Sequence, residues 1–263
     1  MILIYNDYGS QERLHDFVLL LSEILQNQSN IAYIDAEGVL EGSWINSCQL
    51  FIMPGGFDLG YKKKLNGSGN AIIKKYIENG GKYLGICAGA YYACAQIVFN
   101  HHSSDVFTSK YETIEEDREL AFFEGKAVGP IFEYDYESYS KARLLDIDIH
   151  ANGDVHDFNQ VRLLYNGGPY FENYFGKLLQ NVEYERKYHI VASYNNLPMI
   201  LHFVYGLGQC LLSSFHFEHD YRNDINSGDI YLNRIFQELL ENDAERVRFA
   251  KYLLSLLNLD IML

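Results

Sequence analysis

Three residues in this chain have the types and the setting for nucleophilic chemistry: Cys87, His216 and Glu218. Cys87 ends the apolar run Tyr83-Leu84-Gly85-Ile86 and is followed by Ala88-Gly89, so a glycine lies two residues to either side. That pattern reads as strand, sharp turn and helix, with the thiol at the apex. Nucleophiles are mounted this way because the turn exposes the side chain while the strained backbone needs small neighbours. A thiol at a helix N-terminus also feels the positive end of the peptide dipoles, which favours the thiolate. Taken alone, the same residues would also suit a buried core cysteine. Residues 210–218 read as a buried strand with a polar tip. Strand side chains alternate, so His216 and Glu218 are expected on one side and Phe217 on the other. A carboxylate beside an imidazole orients it and supports its cationic form. Nucleophile, base and orienter thus occur in the order Cys, His, Glu. A third element, Pro54-Gly55-Gly56, follows the apolar strand at 49–53. Two glycines there leave backbone N–H groups uncovered, as an oxyanion hole requires. Gly55, Gly56 and Ala88 are the candidate donors, with an ordinary turn as the alternative for the glycine pair alone.

These sites need a scaffold that brings them together, and the pattern supplies one. Ser10 is placed to cap a helix over residues 11–26, with Leu14, Phe17, Val18, Leu21 and Leu25 on one face. Residues 31–34 read as a strand and 70–78 as a helix closed by Asn79-Gly80-Gly81. A helix over 88–99 would carry Cys87 at its start. This alternation predicts a mostly parallel sheet flanked by helices, with the site beyond the C-terminal ends of the strands. Residues 100–165 are less regular, with strands expected at 144–149 and 161–165, and the acidic run 115–117 reads as a solvated loop. Strands at 188–194 and 199–205 are expected to pair with 209–215, the turn Gly206-Leu207-Gly208 closing a hairpin. Residues 229–259 read as two amphipathic helices. No repeat or linker interrupts the chain, which reads as a single domain over 1–263 with a helical extension from about 221.

Composition narrows the function. The chain has 263 residues, 48% of them hydrophobic and 21% charged, which fits an enzyme-sized globular core. Its 35 acidic against 21 basic residues give a net charge of −14. That opposes binding to nucleic acid, which depends on cationic neutralisation of phosphates, and to anionic membranes. The 22 tyrosines and 16 phenylalanines lack interleaved basic residues and are assigned to core and pocket packing. The four cysteines, Cys48, Cys87, Cys94 and Cys210, form no CxxC pair. With no basic leader and no apolar stretch of ~20 residues, a cytoplasmic location is expected. His216-Phe217-Glu218-His219-Asp220 and residues 150–157 collect metal-ligand types, but neither has the helical His-Glu-x-x-His spacing. His101-His102 reads as a surface pair. No metal and no cofactor is expected, since no phosphate-binding or dinucleotide fingerprint occurs.

The elbow, the His-x-Glu and the glycine pair together resemble the class I glutamine amidotransferase-like superfamily. Within it, the chain is similar to the N-terminal domain family of biotin–protein ligases. The matching stretches are Met53-Pro54-Gly55-Gly56-Phe57-Asp58-Leu59-Gly60-Tyr61, residues 80–92 around Cys87, residues 118–125, Tyr165-Asn166-Gly167-Gly168 and the segment ending at Glu218. The resemblance implies an α/β, flavodoxin-like three-layer sandwich with a mostly parallel central sheet and β insertions. It also implies a cysteine-dependent hydrolase or amidotransferase acting on a C–N bond of a small-molecule or other amide substrate. It places Tyr165, Asn166, Gly167 and Gly168 at the mouth of the site, where Asn166 would hold a polar substrate group, with Asn6, Asp58 and Tyr91 along the same edge. Glutamine users of this superfamily continue the elbow with Gly-His-Gln or Gly-Leu-Gln, whereas here it runs Gly89-Ala90-Tyr91. The Gly-Arg-Gly-rich adenylate loop of the ligases is absent from the sequence, so biotin ligation is not expected of it. A non-catalytic ligand-binding or regulatory domain is the alternative, and a protein partner or a second copy of the chain is compatible with either.

Overall fold

Short apolar runs separated by glycine and asparagine turns give strands too short to stand alone, so they must pair across long sequence distances. A computed structural model describes residues 1–11, 13–25, 30–101, 112–135, 138–150, 158, 161–174, 187–220 and 230–261. The first half runs β1 (Ile2–Tyr5), α1 (His15–Ile24), β2 (Ile31–Ile34), α2 (Ala36–Glu41), β3 (Leu50–Met53), α3 (Asp58–Leu65), α4 (Ser68–Glu78), β4 (Lys82–Ile86) and α5 (Ala88–Tyr92). An inserted region follows with β5 (Cys94–His101), β6 (Glu112–Asp117), β7 (Phe123–Gly129), β8 (Arg143–Asp146), β9 (Asp148–Ile149), β10 (Arg162–Tyr165) and β11 (Tyr170–Asn173). The chain then returns through β12 (Tyr188–Tyr194), β13 (Leu197–Tyr205) and β14 (Gly208–Ser213) to the helix α6 (Ile230–Leu256).

The main sheet has the order β2-β1-β3-β4-β14-β13-β12-β9. From β2 to β14 every neighbour is parallel, and from β14 outward the pairs are antiparallel. The parallel part has the flavodoxin-like strand order, with β14 as its last member. Successive strand residues go to opposite faces. Ile2, Ile4, Leu50, Ile52, Leu84 and Ile86 pack with Phe17, Leu21 and Ile24 of α1 and Phe249, Leu253 and Leu254 of α6. Leu3, Tyr5, Phe51, Met53 and Tyr83 pack with Tyr61 and Leu65 of α3 and Ile73, Tyr76 and Ile77 of α4. Each fully buried side chain of this size contributes about 1.5–3 kcal/mol, so burial on both faces stabilises the three layers. The insertion adds a four-stranded sheet, β11-β7-β5-β6, and a two-stranded β10-β8 pair. The fold is thus α/β, a three-layer sandwich with β insertions.

Several local expectations are corrected. The helix after Cys87 stops at Tyr92, and residues from Cys94 form β5. Ile97, Val98 and Phe99 favour a pleated backbone, and β6 and β7 flank β5 on its two sides to take its hydrogen bonds. A helix of one and a half turns has few aligned dipoles, so the dipole contribution to Cys87 is smaller than the sequence suggested. Ser10 does not cap α1, which starts at His15. Its hydroxyl donates to the Tyr5 carbonyl at 3.2 Å, and its backbone bridges to Gly56. The acidic run 115–117 belongs to β6, where Glu115 and Glu116 pair with Lys126 and Lys62. The strand expected over 144–149 breaks at Ile147, whose N–H donates to Val161. β14 pairs with β13 as expected, but β12 pairs with β13 and β9 instead of β14. The C-terminal segment forms one helix where two were expected. Among the described residues no helix is long and apolar enough to cross a membrane.

Candidate active site

Strands β3, β4 and β14 are neighbours and end at one edge of the sheet. Met53 lies beside Gly85, and Ser213 beside Ile86. The residues just past those ends, Gly55, Cys87 and His216, are thereby brought together from three distant parts of the sequence. This edge is where doubly wound sheets carry their sites.

Cys87 has φ 47° and ψ −104°, a conformation that L-residues rarely adopt and that costs about 1–3 kcal/mol. Glycines on either side make it accessible. A Cβ on Gly85 would fall 2.6 Å from the Gly89 carbonyl oxygen, and one on Gly89 would fall 2.0 Å from that of Met53. The strained turn is pinned from both flanks. The Cys87 N–H donates to Ser213 at 2.8 Å, and the Gly89 N–H donates to Pro54 at 3.0 Å.

His216 Nδ1 lies 2.8 Å from Glu218 Oε1, and the two residues are 7% and 1% exposed. With Nδ1 committed to Glu218, the other ring nitrogen is left for Cys87, which interacts with the His216 ring. Burial alone would lower the His216 pKa. The Glu218 carboxylate first, and then Cys87, outweigh it and push the value up to about 10. The pair does not arise from strand alternation, because β14 ends at Ser213. Residues 216–219 form a turn, the His219 N–H donating to the His216 carbonyl at 3.3 Å. Neighbours hold this turn from outside. The His216 N–H donates to Leu164 at 2.9 Å, and Arg246 Nη1 of α6 donates to the Phe217 carbonyl at 2.7 Å. Gln11 Nε2 donates to Glu218 Oε1 at 3.3 Å, and the Asp220 N–H donates to Asp16 Oδ2 at 3.3 Å.

The glycine turn is fixed by its carbonyls. The Tyr61 hydroxyl approaches the carbonyls of Pro54 at 3.0 Å and Gly55 at 2.8 Å, and the Gln11 N–H donates to Gly55 at 3.0 Å. Holding the carbonyls orients the peptide planes, and the N–H groups of Gly55, Gly56 and Ala88 have no internal acceptor among the described residues. Neither glycine tolerates a side chain. A Cβ on Gly55 would meet the His216 ring at 2.7 Å, and one on Gly56 the Gly9 carbonyl at 2.1 Å.

A narrow cleft, continuous with solvent, opens beside Cys87. Asp58, Tyr91 and Gly167 line it, together with Gly56 and Ala88. The Asn166 carbonyl accepts from Cys87 Sγ at 3.5 Å, and Asn166 Oδ1 is buried without a partner among the described residues. Tyr165 and Gly168 sit behind the cleft wall. The Tyr165 hydroxyl donates to Gly168 at 2.7 Å and accepts from the Ile131 N–H at 2.9 Å, while a Cβ on Gly168 would fall 2.1 Å from the Ser214 carbonyl. Asn6 stands exposed past β1, and it is not part of the cleft lining. Asp58 is clamped by Arg118, with Nε at 2.8 Å and Nη2 at 2.7 Å. Burial pushes the Asp58 carboxyl up, against the pull of that arginine.

Sequence reasoning missed Gln11, Tyr61, Arg118 as the Asp58 partner, and the apolar wall formed by Ile97, Phe99, Ile114 and Tyr134. Ile97 and Phe99 are two residues apart, which is the strand period that would have placed both on one face. Burial raises Cys94 and Cys210 well above the usual thiol range, and it raises Cys48 as well, although Cys48 is only partly buried. Among the described residues no three His, Cys, Asp or Glu side chains gather into a metal-binding group, and residues 102 and 151–157 lie outside the described part.

Comparison with known proteins gives the family and the fold. A family model described as biotin-protein ligase, N terminal, matches residues 1–262. An uncharacterized protein of Chlamydia muridarum is 32% identical over 201 residues, spanning 75% of this chain and 70% of that one. The biotin–protein ligase of Schizosaccharomyces pombe is 28% identical over 268 residues, spanning 99% of this chain but only 38% of the ligase. Among solved structures, a chain of PurLQS from Thermotoga maritima superposes with TM-score 0.53 at 13% identity, covering 97% of this chain and 98% of that one. A glutamine amidotransferase from the same organism gives TM-score 0.52 at 15% identity, covering 98% and 95%. At such identities these two structures establish a shared fold, that of the class I glutamine amidotransferases.

Proposed function

The chain belongs to the family of biotin–protein ligase N-terminal domains, and on that premise we propose that it is a cysteine-dependent amidohydrolase or acyl-transfer enzyme acting on a C–N bond. The observation that carries this reading is a thiol held at a strained φ of 47° within reach of an imidazole that is itself bonded to a buried carboxylate. Backbone strain of this kind persists only where surrounding structure enforces it, and it concentrates at functional sites.

In the proposed reaction His216, held as the imidazolium by Glu218, pairs through its other ring nitrogen with the Cys87 thiolate, which attacks the substrate carbonyl. Glu218 holds the ring at Nδ1 and stabilises the imidazolium. The N–H groups of Ala88 and of Gly55 or Gly56 bind the developing oxyanion, each donor commonly contributing ~3 kcal/mol. The tetrahedral carbon then expels its nitrogen, which leaves as an amine after taking the proton from His216. A thioester on Cys87 remains, and water or another nucleophile, deprotonated by His216, releases the acyl group.

Thiol labelling tests this. Limiting iodoacetamide followed by intact mass and peptide mapping should modify Cys87 first, ahead of the more accessible Cys48, and His216→Ala should slow that labelling at least tenfold at pH 7. Labelling led by Cys48, or a Cys87 rate indifferent to His216, would reject the nucleophile and favour a ligand-binding role.

A further inference from the structure

The walls of the cleft say which amides fit it. Tyr91 and Phe99 pack with their ring planes tilted by 57° and centroids 5.6 Å apart, and Phe99 meets Tyr134 edge to face at 6.3 Å. These rings form a continuous aromatic wall, and Ile97, Ile114, Phe57 and Leu59 complete the apolar lining. The polar groups in the same wall are already engaged. The Tyr91 hydroxyl donates to the Gly167 carbonyl at 3.1 Å, and Arg118 binds the Asp58 carboxylate. Among the described residues no lysine, arginine or histidine lines the cleft. Against these rings a substrate carboxylate would lose water, which is costly, whereas an apolar group would gain by leaving it.

We propose that the site selects amides with an uncharged, apolar acyl group, aromatic or aliphatic, and discriminates against the zwitterionic head of an α-amino acid such as glutamine; this rests on the reading of Cys87 as the nucleophile. Cys87, Ala88 and Gly56 line the same cleft as the aromatic wall. A carbonyl held at those groups therefore extends its acyl substituent against Tyr91, Phe99 and Tyr134. The chemistry at the carbonyl is that of any thiol acyl transfer, while the wall sets the selectivity.

The test is a titration of the Cys87→Ala protein with butanamide, benzamide and glutamine, followed by backbone amide NMR. Butanamide and benzamide should shift the Ala88, Tyr91 and Gly167 resonances with dissociation constants at least tenfold lower than that of glutamine. Glutamine binding as tightly as the apolar amides, or no response at the cleft to either apolar amide, would overturn the proposal. The labelling of wild-type Cys87 separates the two claims. A reactive thiol with a glutamine-preferring cleft leaves the nucleophile standing and removes the substrate class. An inert thiol beside a cleft that prefers apolar amides does the reverse.

Discussion

Replacing Glu218 by Gln removes one charge 2.8 Å from His216 Nδ1 while keeping the size of the side chain. In the native site the His216 pKa stands at about 10, because Glu218 and Cys87 together overcome the lowering effect of burial. Against an ordinary histidine near 6.5, this favours the imidazolium by on the order of 5 kcal/mol. Glu218 supplies the largest raising contribution, so its loss removes the main opposition to burial and should bring the His216 pKa down. Histidine-labelled protein titrated by NMR between pH 5 and 11 reads this directly. The wild type should titrate near the upper end and Glu218→Gln clearly lower. Stability carries the same signature. Between about pH 6.5 and 10 the native wild type keeps a proton that the unfolded chain has lost, so its stability falls as pH rises. The contribution is complete below about 6.5 and gone above about 10. The advantage of wild type over Glu218→Gln in urea unfolding should therefore shrink across that window. An unchanged His216 titration in Glu218→Gln, or a stability gap independent of pH, would refute the assignment of Glu218 as the orienting charge.

Two further outcomes follow from the geometry. Arg246→Met removes the bond from α6 to the Phe217 carbonyl and strands Asp243, which should cost about 1–3 kcal/mol in denaturant unfolding. It should also slow Cys87 alkylation in the folded protein, with Arg246→Lys intermediate; alkylation at the wild-type rate would show that α6 does not position the turn. At an ordinary site glycine is less stable than alanine by about 0.5–1 kcal/mol, but at position 87 the positive φ reverses the preference. Cys87→Gly should therefore be at least as stable as Cys87→Ala by thermal unfolding, and a clear advantage for alanine would contradict the strained elbow.

The parts of the site set by local stereochemistry were legible in the sequence, and those set by long-range assembly were not. Gly85 and Gly89 stand out because no other residue fits against the Gly89 and Met53 carbonyls. Gly56 stands out likewise against the Gly9 carbonyl, and Gly55 because a Cβ there would meet the Gln11 and His216 side chains. His216 and Glu218 were legible as a pair, but their mutual placement comes from a turn held by Leu164 and Arg246, which no local pattern encodes. Residues 88–99 misled because a run of small and apolar residues suits a helix or a buried strand equally well. Only the flanking β6 and β7 decide in favour of β5 after Tyr92. The aromatic wall was hidden by the same error, since a helix over 88–99 would not turn Ile97 and Phe99 together onto one face.

The most direct test of the account is single-turnover acylation with p-nitrophenyl butyrate. Attack by Cys87 releases one p-nitrophenolate and leaves a butyryl thioester, read together by absorbance and intact mass. The account predicts a burst stoichiometric with enzyme, a butyryl group on Cys87 alone, and loss of both in Cys87→Ser, with His216→Ala strongly slowed. Butyrylation spread over other residues, or release that continues unchanged without Cys87, would contradict it.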